Sequence, residues 1–126
     1  MAQALTPIVP LGTTHADYFH GEIPVTRHLT QDEIDGGYVA ATGALIVETF
    51  KNRDPLEVPA VLVAGHGPCV WGRTTEEAVF NAFILEEVAR MAWHSMVVNP
   101  GLKPIPESLL DQHYYRKHGA GATYGQ

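Results

Sequence analysis

The sequence predicts a mixed α/β chain with antiparallel strand pairing, and three observations carry that expectation. Two apolar, β-branched runs, residues 44–50 and 60–64, read as strands. Two threonine-led capping boxes, Thr30-Gln31-Asp32-Glu33 and Thr74-Thr75-Glu76-Glu77, open helices. Only about ten residues without helical periodicity part the two strands, which argues against a βαβ crossover and hence against a doubly wound sheet. With 126 residues and 45% apolar content there is material for one core, so the chain reads as one domain or a piece of one.

Residues 1–29 set Pro7, Pro10, Gly12, Gly21 and Pro24 between short apolar pieces, a pattern of turns and brief strands with cores at Ile8-Val9 and at residues 23–25. The first capping box predicts a helix over 31–42, weakened by Gly36-Gly37 and ended by Gly43. Asn52-Arg53-Asp54-Pro55 closes the strand at 44–50, and the strand at 60–64 follows. The second capping box opens a long core helix to about Val98, its acids early and Arg90 and His94 late, as the helix dipole favours. Asn99-Pro100-Gly101 stops it, and a last helix over 106–118 precedes a Gly/Ala tail whose one large side chain is Tyr124.

A net charge of −6, with no basic run longer than Arg116-Lys117, argues against a nucleic-acid face or an anionic membrane surface. The single cysteine, Cys69, permits no intrachain disulfide and reads as a small buried hydrophobe in a reducing compartment. Residues 1–5 lack the basic and apolar regions of a leader, and no run approaches the roughly 18 apolar residues of a membrane span, so the cytoplasm is the expected location.

Four places could carry chemistry. His66 ends a buried strand at a Gly-Pro turn, where α/β proteins often place a ligand; a metal donor and a capped strand end are equally good readings. No H-x-H or H-x-x-x-H partner accompanies it, so His66 looks like part of a site. The segment Gly12-Thr13-Thr14-His15-Ala16-Asp17-Tyr18 gathers two hydroxyls, an imidazole and a carboxylate on an expected loop, either for function or to bond its own backbone. His113, Tyr114 and Tyr115 sit in the last helix, where tyrosines are usually packing residues. Tyr124 is an isolated phenol that could exchange protons if docked near a cation.

Taken together, residues 12–19, Ile46-Val47-Glu48-Thr49-Phe50, His66-Gly67-Pro68, Leu85-Glu86-Glu87-Val88-Ala89, residues 113–119 and Tyr124-Gly125-Gln126 closely resemble the L-ribulose-5-phosphate 4-epimerases of the class II aldolase/adducin-like family. The resemblance runs in order through nearly the entire chain and corresponds to the C-terminal half of the family, so residues 1–126 are expected to form the C-terminal part of a single domain. It implies a three-layer α/β/α fold with a largely antiparallel central sheet, present here as an incomplete domain, and a cyclic homo-oligomer, a tetramer. It also implies a zinc-assisted retro-aldol and aldol reaction that interconverts L-ribulose 5-phosphate and D-xylulose 5-phosphate.

Residue by residue, the resemblance makes His66 a zinc ligand, Asp17 and Tyr124 the acid/base pair, and Thr13 and His113 supporting residues of the substrate site. Tyr124 would act across a subunit interface. The family's other metal ligands, an H-x-H pair and an acid, and its phosphate-binding loops correspond to nothing in these 126 residues, so the chain alone is expected to be inactive and to need an N-terminal half as partner. Val39 stands where the family carries a site acid, and Thr123 where it carries an aromatic. Two other readings stay open: a non-catalytic adducin-like assembly module or remnant, and a related sugar-phosphate aldolase.

Overall fold

The structure, a computed structural model, describes residues 1–122. Its order is a short 3₁₀ turn at Ala2–Ala4, α1 (Thr13–Ala16), α2 (Gln31–Thr49), β1 (Ala60–Val63), β2 (Gly67–Val70), α3 (Thr75–Val98) and α4 (Glu107–His118). This is a mixed arrangement of helices around a small antiparallel sheet. No helix among the described residues is long and apolar enough to cross a membrane.

β1 is buried at all four positions and is hydrogen-bonded along one edge and at Leu62 on the other. On one side β2 runs antiparallel to it, pairing Ala60 with Val70 and Val63 with Gly67. On the other, Leu62 donates to the Pro24 carbonyl and accepts from the Thr26 N–H, both at 2.9 Å, which makes a one-residue parallel bridge with Val25. Ile23 in turn exchanges two 3.0 Å bonds with Ile8. The expected strand cores at Ile8 and Ile23–Val25 therefore exist as single bridges. Ile8, Phe19, Ile23 and Leu62 meet Leu85, Val88 and Ala92 from the inner face of α3 in one apolar cluster.

α3 matches its expected limits, with Thr74 accepting from the Glu77 N–H at 3.2 Å. The reciprocal half of that box is displaced by one residue, since the Glu77 carboxylate takes the N–H of Arg73 at 2.6 Å. Gly72 is required just before it. A Cβ there would lie 2.6 Å from the backbone nitrogen of Ala78, closer than carbon and nitrogen can pack.

The region 31–50 departs from expectation. Of residues 44–50, expected as a strand paired with 60–64, residues 44–49 are helical and belong to α2, which begins at the expected capping box, and Phe50 is its C-cap. Both edges of β1 are occupied, so no strand among the described residues is left to receive 44–50, and its backbone is satisfied by helical bonds instead. The expected stop at Gly43 falls inside the helix. The break lies at Gly37, whose φ of 138° is open only to glycine.

That break is large. The Arg27 guanidinium holds Glu33 by two 2.8 Å bonds and Glu48 by bonds of 2.9 and 3.2 Å. A straight helix would part Glu33 and Glu48 by about 22 Å, so the two halves of α2 fold back on each other at Gly37. The bonds from Arg27 hold Glu33 down at about 2. Only Leu45 of α2 is buried, while Val39 and Val47 are 82% and 73% exposed.

Two smaller differences concern short segments. Residues 13–16, expected as loop, form the single turn α1, and Cys69 is only half-buried, on β2 opposite Val61. His15 lies inside, with its Nε2–H donating to the Gly21 carbonyl at 2.7 Å and its ring edge-on to Phe19. Burial disfavours the imidazolium more than the carbonyl favours it, and the pKa falls from 6.5 to about 4.

Because the folded value is depressed below the unfolded one, His15 leaves stability intact above pH 6.5 and subtracts from it as pH falls towards 4, by about 3 kcal/mol at the limit. Urea unfolding at pH 7 and pH 4.5 should show this loss in the parent chain and a clearly smaller loss in His15→Gln, which keeps a donor for Gly21 but cannot charge. Equal losses in both would refute a buried neutral imidazole.

Candidate functional site

Asp17 caps the C-terminal end of α1, its N–H donating to the Thr13 carbonyl at 2.9 Å, which sets Thr13 one turn ahead of it. The carboxylate faces α4. Oδ1 accepts from His113 Nδ1 at 2.9 Å and from Arg116 at 3.1 Å, while Lys117 Nζ lies 3.5 Å from Oδ2. His113, Arg116 and Lys117 stand at i, i+3 and i+4, so one face of α4 presents all three to a single carboxylate. His118 Nε2–H also donates to the Asp17 carbonyl at 2.9 Å.

These contacts decide the charge of Asp17. Partial burial pushes its pKa up, but the hydrogen bond from His113 and the charges of Lys117 and Arg116 together outweigh burial and hold it below the ordinary carboxylate value. Asp17 is therefore an anion at neutral pH, and the bond it accepts places a proton on His113 Nδ1. Lys117 also lies 4.3 Å above the Tyr18 ring, a cation–π contact that fixes its position. A polar cavity of about 450 Å³ opens beside the cluster, bordered by Tyr18, Arg73, Asn81, Tyr115, Lys117 and His118.

The structure thus unites three of the five expected site residues, Thr13, Asp17 and His113. His66 lies apart. It is exposed in the turn between β1 and β2, its N–H on the Val63 carbonyl at 3.0 Å, and it borders a second cavity of about 450 Å³ with Gln3, Glu86, Arg90 and Trp93. None of Thr13, Asp17 or His113 lines that cavity. Among the described residues no three His, Cys, Asp or Glu side chains come together to hold a metal ion, so the donors present do not compose a zinc centre. Tyr124, the expected second member of the acid/base pair, and Thr123 lie outside the described residues.

One residue close to the site escaped the sequence reading. His20 bonds Glu57 and Asp111, which are 37 and 91 positions away, and no local pattern signals a pairing at that range. Of the two tyrosines expected as half-buried packing residues, Tyr115 is exposed and Tyr114 is buried and stacked on His20, its phenol pushed up to about 12, by burial first and the Glu57 and Asp54 charges next.

Residues 1–93 match the family described as Class II Aldolase and Adducin N-terminal domain. The chain is also 51% identical, over 125 residues, to the proteins named L-ribulose-5-phosphate 4-epimerase UlaF of Salmonella paratyphi A (strain ATCC 9150 / SARB42) and Salmonella typhi. The corresponding protein of Salmonella paratyphi B (strain ATCC BAA-1250 / SPB7) is 50% identical over the same length. Each alignment takes in 99% of this chain and 55% of the relative, so the chain spans about half the length of the curated relatives it matches. With residues 1–93 of 126 inside the family match, the chain belongs to the class II aldolase and adducin family.

Proposed function

We propose that this chain is the C-terminal part of an L-ribulose-5-phosphate 4-epimerase-like isomerase, active together with a polypeptide equivalent to the unmatched part of its relatives. The carrying observation is the Asp17 carboxylate, held ionised by His113, Lys117 and Arg116 in a chain 51% identical to proteins named for that activity. The whole enzyme would be a cytoplasmic homo-oligomer of three-layer α/β/α subunits. L-ribulose 5-phosphate and D-xylulose 5-phosphate would be its substrate and product.

Inverting the configuration at C4 of a 2-ketose by retro-aldol chemistry asks for two proton transfers. A base takes the C4 hydroxyl proton as the C3–C4 bond breaks, and after the aldehyde turns over, an acid returns a proton to that oxygen from the other face. Asp17 is suited to accept, because its neighbours keep it ionised at neutral pH. A phenol, with an ordinary pKa of about 10, is suited to donate, and Tyr124 is assigned that role. The roles exchange in the reverse direction. His113 orients the Asp17 carboxylate, and Thr13 supports the same wall of the site.

Zinc, which the family resemblance implies, would supply charge stabilisation for the three-carbon half. His66 is read as one of its donors, the remainder coming from outside this chain.

Mixed with the unmatched part of a relative, the chain should bind zinc and epimerise L-ribulose 5-phosphate, whereas either piece alone should not. In that mixture Asp17→Asn should lower the rate by about 10²–10⁴-fold with zinc content unchanged, and His66→Asn should lower zinc content itself. Full activity of the chain alone, or an Asp17→Asn mixture as fast as the parent, would refute the assignment. A mixture that forms and binds zinc but cleaves the sugar without returning the epimer would favour an aldolase.

A separate measurement tests the electrostatics. Removing the bond from His113 should raise the Asp17 pKa towards the ordinary carboxylate value, so the ¹³C titration of the Asp17 carboxyl should move to higher pH in His113→Phe. An unmoved midpoint would assign the depression to the lysine and arginine alone.

A further inference from the structure

His20 takes no part in the Asp17 cluster, yet both of its ring nitrogens lie within hydrogen-bond distance of carboxylates. Its Nδ1 lies 3.0 Å from Glu57 Oε2, in the turn before β1, and its Nε2 lies 2.7 Å from Asp111 Oδ1, in the first half of α4. Only an imidazolium can donate to both, because a neutral ring has one N–H. The ring is stacked on Tyr114 at 4.7 Å and tilted against Tyr115 at 5.0 Å, and its side chain is 17% exposed. The charged groups facing it are thus two carboxylates, which favour a cation, and the remaining faces are aromatic.

The position of His20 gives this arrangement its meaning. Asp17 and His20 belong to one short stretch following α1, and Asp111, His113, Arg116 and Lys117 to one stretch of α4. Along this contact the charges alternate in reverse on the two sides. An anion on the body, Asp17, meets cations on α4, and a cation on the body, His20, meets an anion on α4, Asp111. Sliding or turning α4 by one residue would put uncharged neighbours, Leu110 or Gln112 for Asp111 and Gln112 or Tyr114 for His113, opposite His20 and Asp17, so both ion pairs would be lost together. Tyr114 is the only residue of α4 that is fully buried, so apolar packing does little to fix the helix by itself.

We propose that His20 is a positioning residue, an imidazolium clamp that joins Glu57 to Asp111, fixes α4 in register, and thereby sets His113 and Arg116 on Asp17. Burial lowers the His20 pKa, but the bonds from Asp111 and Glu57 outweigh it and the net shift is upward. With a folded value above the unfolded 6.5, the clamp is fully made below pH 6.5 and is lost as pH rises through the folded value. Its bearing on catalysis rests on the reading of Asp17 as an acid/base; its bearing on the placement of α4 does not.

Nuclear magnetic resonance of the isotope-labelled chain tests this directly. His20 ring nitrogens, the Asp17 carboxyl and backbone amide protection factors would be followed from about pH 5.5 to 9, spanning the ordinary imidazole range. Both His20 nitrogens should be protonated at neutral pH. Protection of the α4 amides should fall roughly tenfold or more as the ring loses its proton, the scale expected for losing a charge-assisted bond, while the amides of Leu85 and Val88 in α3 stay protected.

In His20→Gln the weak protection of α4 should appear at every pH, with the Asp17 titration moved upward. If that variant does not fold, Asp111→Asn removes the same clamp from its more exposed side. A neutral, single-tautomer His20 at neutral pH, or α4 protection and Asp17 titration unchanged in the folded variant, would overturn the proposal. The reading of Asp17 fails separately, if Asp17→Asn remains active in the reconstituted mixture while the clamp behaves as described.

Discussion

The hydrogen bonding of β1 on both edges is the constraint on which the rest of the arrangement depends. Four residues, Ala60–Val63, are buried throughout, and their polar backbone could not be left unpaired at that depth. β2 satisfies one edge and fixes the turn that carries His66. Pro24 and Thr26 satisfy the other at Leu62, and the Thr26 hydroxyl adds a bond from the Ala64 N–H at 3.0 Å. Through Ile23 and Ile8 this pairing draws in the N-terminal segment, and Phe19 fills the core just after Asp17. The location of the carboxylate thus depends on strand pairing some forty residues away in sequence.

Around that scaffold the turn that carries His66 and the cluster around Asp17 obey different physics. The His66 side is ordinary turn geometry at the rim of the sheet, open to solvent and ready to accept partners. The Asp17 side is a nearly closed electrostatic contact between α1 and α4, in which desolvation and ion pairing oppose each other and ion pairing prevails. A carboxylate so surrounded is ionised but not idle. The neighbours that lower its pKa also fix the direction of its lone pairs.

Legibility in the sequence followed the range of the interaction. The limits of α3 and α4 and the start of α2 were readable because capping threonines, helical spacing and Asn99-Pro100-Gly101 are local signals. Residues 44–50 were misread because Ile46, Val47 and Thr49 favour a strand only where another strand can pair with them, and β1 has no free edge. Asp17, Thr13, His113 and His66 were singled out by residue type and position and given roles only by family resemblance, while the bond between Asp17 and His113 spans 96 positions and is visible only in three dimensions. His20 had neither a local pattern nor a family motif to mark it.

The fold-back of α2 gives this region a thermodynamic independence that the sheet and α3 lack. Its backbone bonds are internal, its core contribution is Leu45, and its tie to the body runs through the exposed guanidinium of Arg27. Ion pairs at that exposure weaken as the Debye length shortens with added salt, whereas the apolar cluster under β1 does not. Ionic strength is therefore a selective lever on this molecule: it weakens what fastens the folded-back helix and leaves the apolar packing under β1 unchanged.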